Sequence, residues 1–205
     1  MDPQVIEAAT RLFAAMGYDA TSLEQVADAS GRTAEDLRRE FGGKQELYLA
    51  VMERGFQAEQ AAFAACLEQV SCDTQEGCVR GIHHLIDGYL DFAAEHPEVL
   101  ALWLHRWLSD ATDLTELERR YAEPLYSAAL GILGPAQERG FICADADLEY
   151  TWHTLMWMVH GFGQGGVPRE HGNRSGFADP RSAQRFRLHL HRTIHRGLGL
   201  PGDYP

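Results

Sequence analysis

Apolar side chains recur at helical spacing along almost the whole chain. Val5, Ile6, Ala9, Leu12, Phe13 and Met16 fall on one face of a helix expected over residues 3–16, and Gly17-Tyr18 ends it. Two shorter periods follow. Leu23, Val26 and Ala27 form one stripe, and Leu37 and Phe41, four residues apart, form the next. Between them Ala29-Ser30-Gly31 reads as a tight turn, with Gly31 supplying the φ freedom of a sharp reversal. Thr21 with Glu24 has the spacing of a capping box, and Thr33 with Asp36 that of a cap and its carboxylate. Two short helices across such a turn make the helix-turn-helix pattern, whose second helix lies in the DNA major groove.

The periodicity then lengthens. Leu47, Tyr48, Val51, Met52, Phe56, Phe63, Cys66 and Leu67 predict one helix from Lys44 to about residue 70, too long to stay within a 50-residue domain. Further helices are expected over 76–95, 98–109, 113–139, 146–162 and 180–197. Pro124 and Pro135 mark the 113–139 segment as kinked or split. Residues 161–182 read as a Gly-rich loop, and the tail GLGLPGDYP as loose. No strand pattern or internal repeat is present, and GFGQGG follows a helix, not a strand, so it is no dinucleotide fingerprint. The expected fold is all-α: a three-helix helix-turn-helix DNA-binding domain over 1–48, then a larger helical ligand-binding and dimerisation domain over 49–205.

Charge qualifies the DNA reading. The chain carries a net charge of −12, and residues 1–50 hold five basic and nine acidic side chains. Affinity for nucleic acid rests on phosphate neutralisation, so binding must come from a few placed cations and a dimer. Lys44 is the only lysine. The amphipathic start with an early acid is not a signal peptide, and no apolar run approaches membrane-spanning length, so a cytoplasmic protein with no membrane partner is expected.

IEAATRLFAAMGYDATSLEQVA, the Ala29-Ser30-Gly31 turn, Leu37, Phe41 and GGKQELYLAVMER together resemble the N-terminal domain of the TetR family of transcriptional regulators, over residues 5–54. The resemblance implies a homodimeric repressor with a palindromic double-stranded DNA operator and a small-molecule effector. Carried over by position, it assigns DNA contacts to Thr21, Ser22, Thr33, Ala34, Glu35, Arg38, Arg39 and Lys44. Several positions depart from the family pattern. Arg32 stands where a buried valine is usual, Arg38 where tyrosine is usual, and Glu40 where histidine is usual. Arg38 and Arg39 suit phosphate or guanine, and Glu35 suits cytosine N4. Unpaired, Glu35, Asp36 and Glu40 would repel the DNA backbone.

In the second domain Tyr89, Trp103, Arg106, Trp107, Tyr121, Tyr126, Trp152, His153, Met156 and Trp157 suit an aromatic-lined effector cavity, or equally plain core packing. The family's last two helices form a four-helix dimer interface, for which Leu148, Trp152, Leu155, Met158, Val159, Phe186, Leu188, Leu190 and Ile194 supply apolar area. Cys66, Cys72, Cys78 and Cys143 form no CxxC and are expected to be reduced. His191 and His195 are expected on an exposed, Arg-rich helix, with no metal or other cofactor. No local catalytic signature is present, so no enzyme is expected. The expected function is ligand-responsive repression, with a small hydrophobic or aromatic effector releasing the operator. The alternative is a TetR-like protein that no longer binds operator DNA and serves as a ligand-binding or heterodimeric partner.

Overall fold

The computed structural model describes residues 2–202. Its helices are α1 (Pro3–Ala20), α2 (Leu23–Ser30), α3 (Ala34–Phe41), α4 (Lys44–Leu67), α5 (Gln75–Glu95), α6 (Pro97–Trp107), α7 (Glu123–Glu138), α8 (Leu148–Gly165) and α9 (Pro180–Gly197). Among the described residues no helix is long and apolar enough to cross a membrane.

Packing groups the chain differently from a division at residue 48. Met1–Ala58 and His96–Leu117 form one compact unit, and Glu59–Glu95 with Glu118–Pro205 a second. The helix α6 therefore joins the helix-turn-helix unit, where it packs against α1.

In the first unit Asp2 caps α1 and Pro3 opens it. The helical conformation breaks at Gly17 (φ 82°, ψ 169°), where the sequence placed the end of the helix. Ser22, not Thr21, caps α2, and its box partner is Gln25, not Glu24. Thr21 is instead folded inward, its hydroxyl donating to the Gly17 carbonyl at 2.7 Å. Gly31 ends α2 in the left-handed region, and Thr33 caps α3 by accepting from the Asp36 amide at 3.1 Å. Val5, Phe13, Val26, Leu37, Leu47 and Tyr48 are buried at the centre, with Phe13 edge-on to Tyr48 at 5.0 Å between ring centroids.

The second unit packs α5 on α8 and α9, with α7 on α8. Ile82, Ile86 and Leu90 of α5 and Leu190, Ile194 and Leu198 at and after α9 are buried within it. Residues 108–116, with 108–109 and 113–116 expected in helices, are irregular, and a π-helical turn (Glu118–Ala122) leads into α7. Pro124 explains the turn: it has no N–H for the Arg120 carbonyl, and its ring crowds that carbonyl, so the ladder widens there. The Gly-rich loop is more ordered than its composition suggests. The helix α8 runs on to Gly165, and a short antiparallel pair (β1, Val167–Pro168; β2, Arg174–Ser175) follows. Phe162 anchors this segment, stacking on Phe186 at 4.0 Å and meeting Phe177 edge-on at 5.0 Å. Leu198 and Leu200 of the expected loose tail are buried; residues 203–205 lie outside the described residues. Cys72 and Cys78 are paired, contrary to the expectation of reduced thiols. The turn before α5 folds back on the helix, with the Gly77 amide donating to Thr74 Oγ1, and brings the two Cα atoms to 4.0 Å.

Candidate functional site

Each unit carries one candidate site among its described residues. In the helix-turn-helix unit, Ser22, Glu24, Arg38, Gly43 and Lys44 line a surface depression at the N-termini of α2 and α4. Unsatisfied amides and the helix dipole make such ends favourable for anions. Lys44 Nζ lies 4.2 Å from the centre of the Tyr18 ring and 3.5 Å from the Asp19 carbonyl oxygen. Ser22 and Thr33 serve as caps, and Thr21, 1% exposed, offers no hydroxyl to this surface. Ala34 is half-buried, whereas Glu35, Arg38 and Arg39 on α3 are exposed.

Arg32, Arg38 and Glu40, which depart from the family pattern, are all ion-paired within this unit. Arg32 reaches Asp2 at 2.8 Å and Glu40 at 3.5 Å, while Glu40 also accepts from the Asp2 amide. Arg38 pairs with Glu24 at 2.8 Å, and Arg39 with Asp36 at 3.4 Å. A hydrogen bond from the Thr33 hydroxyl, with Arg32 and Arg39 nearby, holds the Asp36 carboxyl below its usual range. Each arginine of this surface therefore already faces a carboxylate.

A residue that the sequence did not single out braces the same region. Asp110 accepts from the amides of Tyr18 (2.6 Å) and Asp19 (2.9 Å), tying the end of α1 to the loop after α6. A Cβ at Gly17 would lie 3.0 Å from Asp110 Oδ1, so glycine is needed there for space as well as for its positive φ. Ser109 (φ 73°) and Ala111 (φ 52°) flank Asp110 in the left-handed region. Arg106 holds this loop through the carbonyls of Asp110, Ala111 and Leu114.

The second unit contains an apolar cavity. Of the residues expected to line it, Tyr89, Trp152 and Met156 do. Trp103, Arg106 and Trp107 do not: they belong to α6 in the other compact unit, where Trp103 is core and Arg106 binds loop carbonyls. Tyr121 is fully buried away from the lining, and Tyr126 lies beside Trp152 and His153 at 6.2 and 6.1 Å between ring centroids. His153 and Trp157 face outward, Trp157 being 47% exposed. The lining is completed by Glu59, Phe63, Cys66, Leu85, Phe92, Leu125 and Leu155, among others. Gly88 is needed where the Cys66 thiol seats against α5, since a Cβ there would overlap the sulfur. The free volume is about 70 Å³, room for a few atoms, whereas drug-sized sites hold roughly 300–1,000 Å³. Burial and the nearby Glu59 carboxylate push the Tyr89 phenol well above its ordinary range.

Of the nine residues expected at a dimer face, Val159, Leu190 and Ile194 are buried in the second unit and the other six are half-buried. The exposed large apolar residues of α8 are Tyr150 and Trp157, seven apart and so on one face. His191 and His195 are also buried, at 0% and 5% exposure, contrary to expectation, and meet His83 of α5.

Residues 5–51 match the family described as bacterial regulatory proteins, tetR family. A search of the curated proteins found no match. Among solved structures, the chain is similar to the fatty acid degradation regulator FadR from Bacillus halodurans (13% identity, 95% of each chain, TM-score 0.67). It is also similar to HlyIIR, a hemolysin II transcriptional regulator (17% identity, 95% of this chain and 94% of that one, TM-score 0.67). A third similar structure is the ketosteroid transcriptional regulator KstR2 of Mycobacterium tuberculosis (16% identity, 95% and 91%, TM-score 0.66). At these identities the likeness is one of fold.

Proposed function

We propose that this chain, whose residues 5–51 match the family of bacterial regulatory proteins, tetR family, is a ligand-responsive transcriptional repressor of that kind. The matched family is one of DNA-binding transcription factors, which supports a regulator rather than an enzyme. In the proposed mechanism a homodimer reads a palindromic operator through α3, with Lys44 and the Ser22 cap at phosphates. A small apolar effector enters the cavity of the second unit. The observation that carries this reading is that apolar cavity in a chain whose other unit is a helix-turn-helix.

The cavity's small volume supplies the switch. A ligand of ten or more heavy atoms fits only if the lining helices move, so it stabilises a different conformation from the unliganded one. The helix α4 runs from Lys44 to Leu67 and has residues in both compact units, so it is the natural carrier of that change. Two similar structures are of regulators named for fatty acid degradation and for a ketosteroid, and an apolar effector suits the lining here. The dimer would form through α8 and α9, with Tyr150 and Trp157 at its centre.

One observation favours the alternative of a family member without operator binding. Arg32, Arg38 and Arg39 are already paired with carboxylates, and phosphates must displace those partners. Selection from a random duplex library with the full chain at low and moderate salt separates the two readings. Enrichment of a palindrome supports the repressor; no enrichment supports the alternative. With an operator in hand, Met156→Trp fills the cavity and is expected to abolish effector-induced release without weakening the operator complex. Release that persists in this variant places the effector elsewhere.

A further inference from the structure

The second unit buries three histidines in one continuous hydrogen-bonded chain. His191 Nε2 lies 2.9 Å from Asp87 Oδ1, and His191 Nδ1 lies 2.7 Å from His83 Nδ1. His83 Nε2 lies 3.0 Å from His195 Nδ1, and His195 Nε2 lies 2.9 Å from the Gly202 carbonyl oxygen. All six ring nitrogens are engaged, and the chain ends on an acceptor at both sides.

Proton counting follows from this connectivity. Four hydrogen bonds need four protons, and three neutral imidazoles carry three. With neutral rings, one contact must set two lone pairs against each other in a buried site. We propose that this cluster is a proton-binding site: it holds one proton beyond three neutral imidazoles, on His191 beside Asp87, and so clasps α9 and the Gly202 segment to α5. With His191 as imidazolium, Nε2–H donates to Asp87 and Nδ1–H to His83 Nδ1. His83 Nε2–H then donates to His195 Nδ1, and His195 Nε2–H to the Gly202 carbonyl. Every bond has one proton.

The surrounding charges agree. On α5 the cluster's carboxylate is Asp87, with Asp91 one turn on; from α9 Arg187 binds both. In these pairings among the described residues, a cationic His191 brings two positive groups against two negative ones. A neutral His191 would leave one carboxylate charge unbalanced. Burial works to raise the Asp87 carboxyl, but hydrogen bonds from His191 and Arg187 outweigh it and hold Asp87 ionised. Burial, with His191 and His195 beside it, pushes His83 down to about 4, which matches a neutral ring at the centre of the chain. Among the described residues the ring nitrogens pair with one another rather than converging on a shared point: those of His83 and His191 face each other at hydrogen-bond distance.

The clasp has a pH sense. It is complete with one extra proton, loses a bond when that proton leaves at high pH, and is broken by a second proton that sets N–H against N–H. Because α9 is one of the two helices proposed for the dimer face, the clasp makes that face responsive to pH; this consequence rests on the dimer reading, whereas the proton count does not.

The test is long-range ¹H–¹⁵N NMR of the histidine rings in the full chain at pH 7. The expected spectrum shows His191 doubly protonated and His83 and His195 as neutral Nε2–H tautomers, with the His191 signature lost in Asp87→Asn. Three neutral rings at pH 7 overturn the proposal. Sedimentation from pH 7 to 9 reads the consequence separately, with the dimer dissociation constant expected to rise at least tenfold. An imidazolium with a pH-independent dimer removes the link to assembly, and a monomer at every pH refutes the dimer reading while leaving the proton site standing.

Discussion

Arg38 of α3 and Arg187 of α9 make the same kind of contact, a guanidinium against a carboxylate, in opposite settings. The Arg38 and Glu24 side chains are 50% and 61% exposed, and water competes for both. Arg187 is 30% exposed and bridges two carboxylates, one of which also binds a fully buried histidine. An exposed pair contributes roughly 0–1 kcal/mol and exchanges partners readily. A partly buried, multiply bonded network holds its geometry, because a group left without its partner there is costly. The surface pairs therefore suit a face that must trade carboxylates for phosphates, and the buried network suits a fastening between helices.

Acidification separates the two regions most strongly. Burial pushes His83 and His160 of the second unit down to about 4, so the folded form keeps them neutral while the unfolded chain binds protons below about 6.5. Their contribution is present above that pH and is lost as the pH falls toward 4, on the order of 3 kcal/mol for each. Trp103 and Trp107 report on the first unit, and Trp152 and Trp157 on the second. In variants keeping one pair, denaturant midpoints should fall between pH 6.5 and 4.5 mainly for the second unit. Equal losses in both would break the distinction.

Gly17→Val comes next. It places a β-branched residue at a φ of 82° and drives its Cβ into Asp110, so the first unit should lose about 3 kcal/mol in urea titrations. A loss under 1 kcal/mol would show that Asp110 is not seated on the Tyr18 and Asp19 amides. Glu24→Gln with Glu40→Gln removes the partner of Arg38 and one of the two carboxylates at Arg32, and affinity for random duplex DNA at low salt should rise about tenfold. Unchanged anisotropy titrations would mean that those arginines do not meet DNA. The smallest effect is expected for Arg38→Ala, with thermal stability changed by less than about 0.5 kcal/mol. A larger loss would place this surface pair in the same class as Arg187.

The helix-turn-helix was legible because its determinants are local. Gly31 at the turn, Thr33 at the cap and Leu37 at the core position act within a few residues of each other. Even there the cap of α2 moved by one residue, because Ser22 and Thr21 have the same chemistry and only packing turns Thr21 inward. The cavity was half legible. Trp152 and Met156 were found by helical spacing, but Trp103 and Trp107 share that spacing and belong to the other compact unit.

Helix periods, the Gly17 break and the tetR-like first quarter are properties of short-range sequence, where spacing alone sets which side chains share a face. Pairings between distant positions were decided by the tertiary structure. Asp110 meets the amides of residues 18 and 19 from some ninety positions away, and His83 meets His191 and His195 across more than a hundred. Spacing cannot carry such information, because it depends on which helix faces are buried against each other. That is why the acids at 36 and 40 read as repulsive in sequence and prove to be partners, and why two histidines on an Arg-rich helix prove to be core.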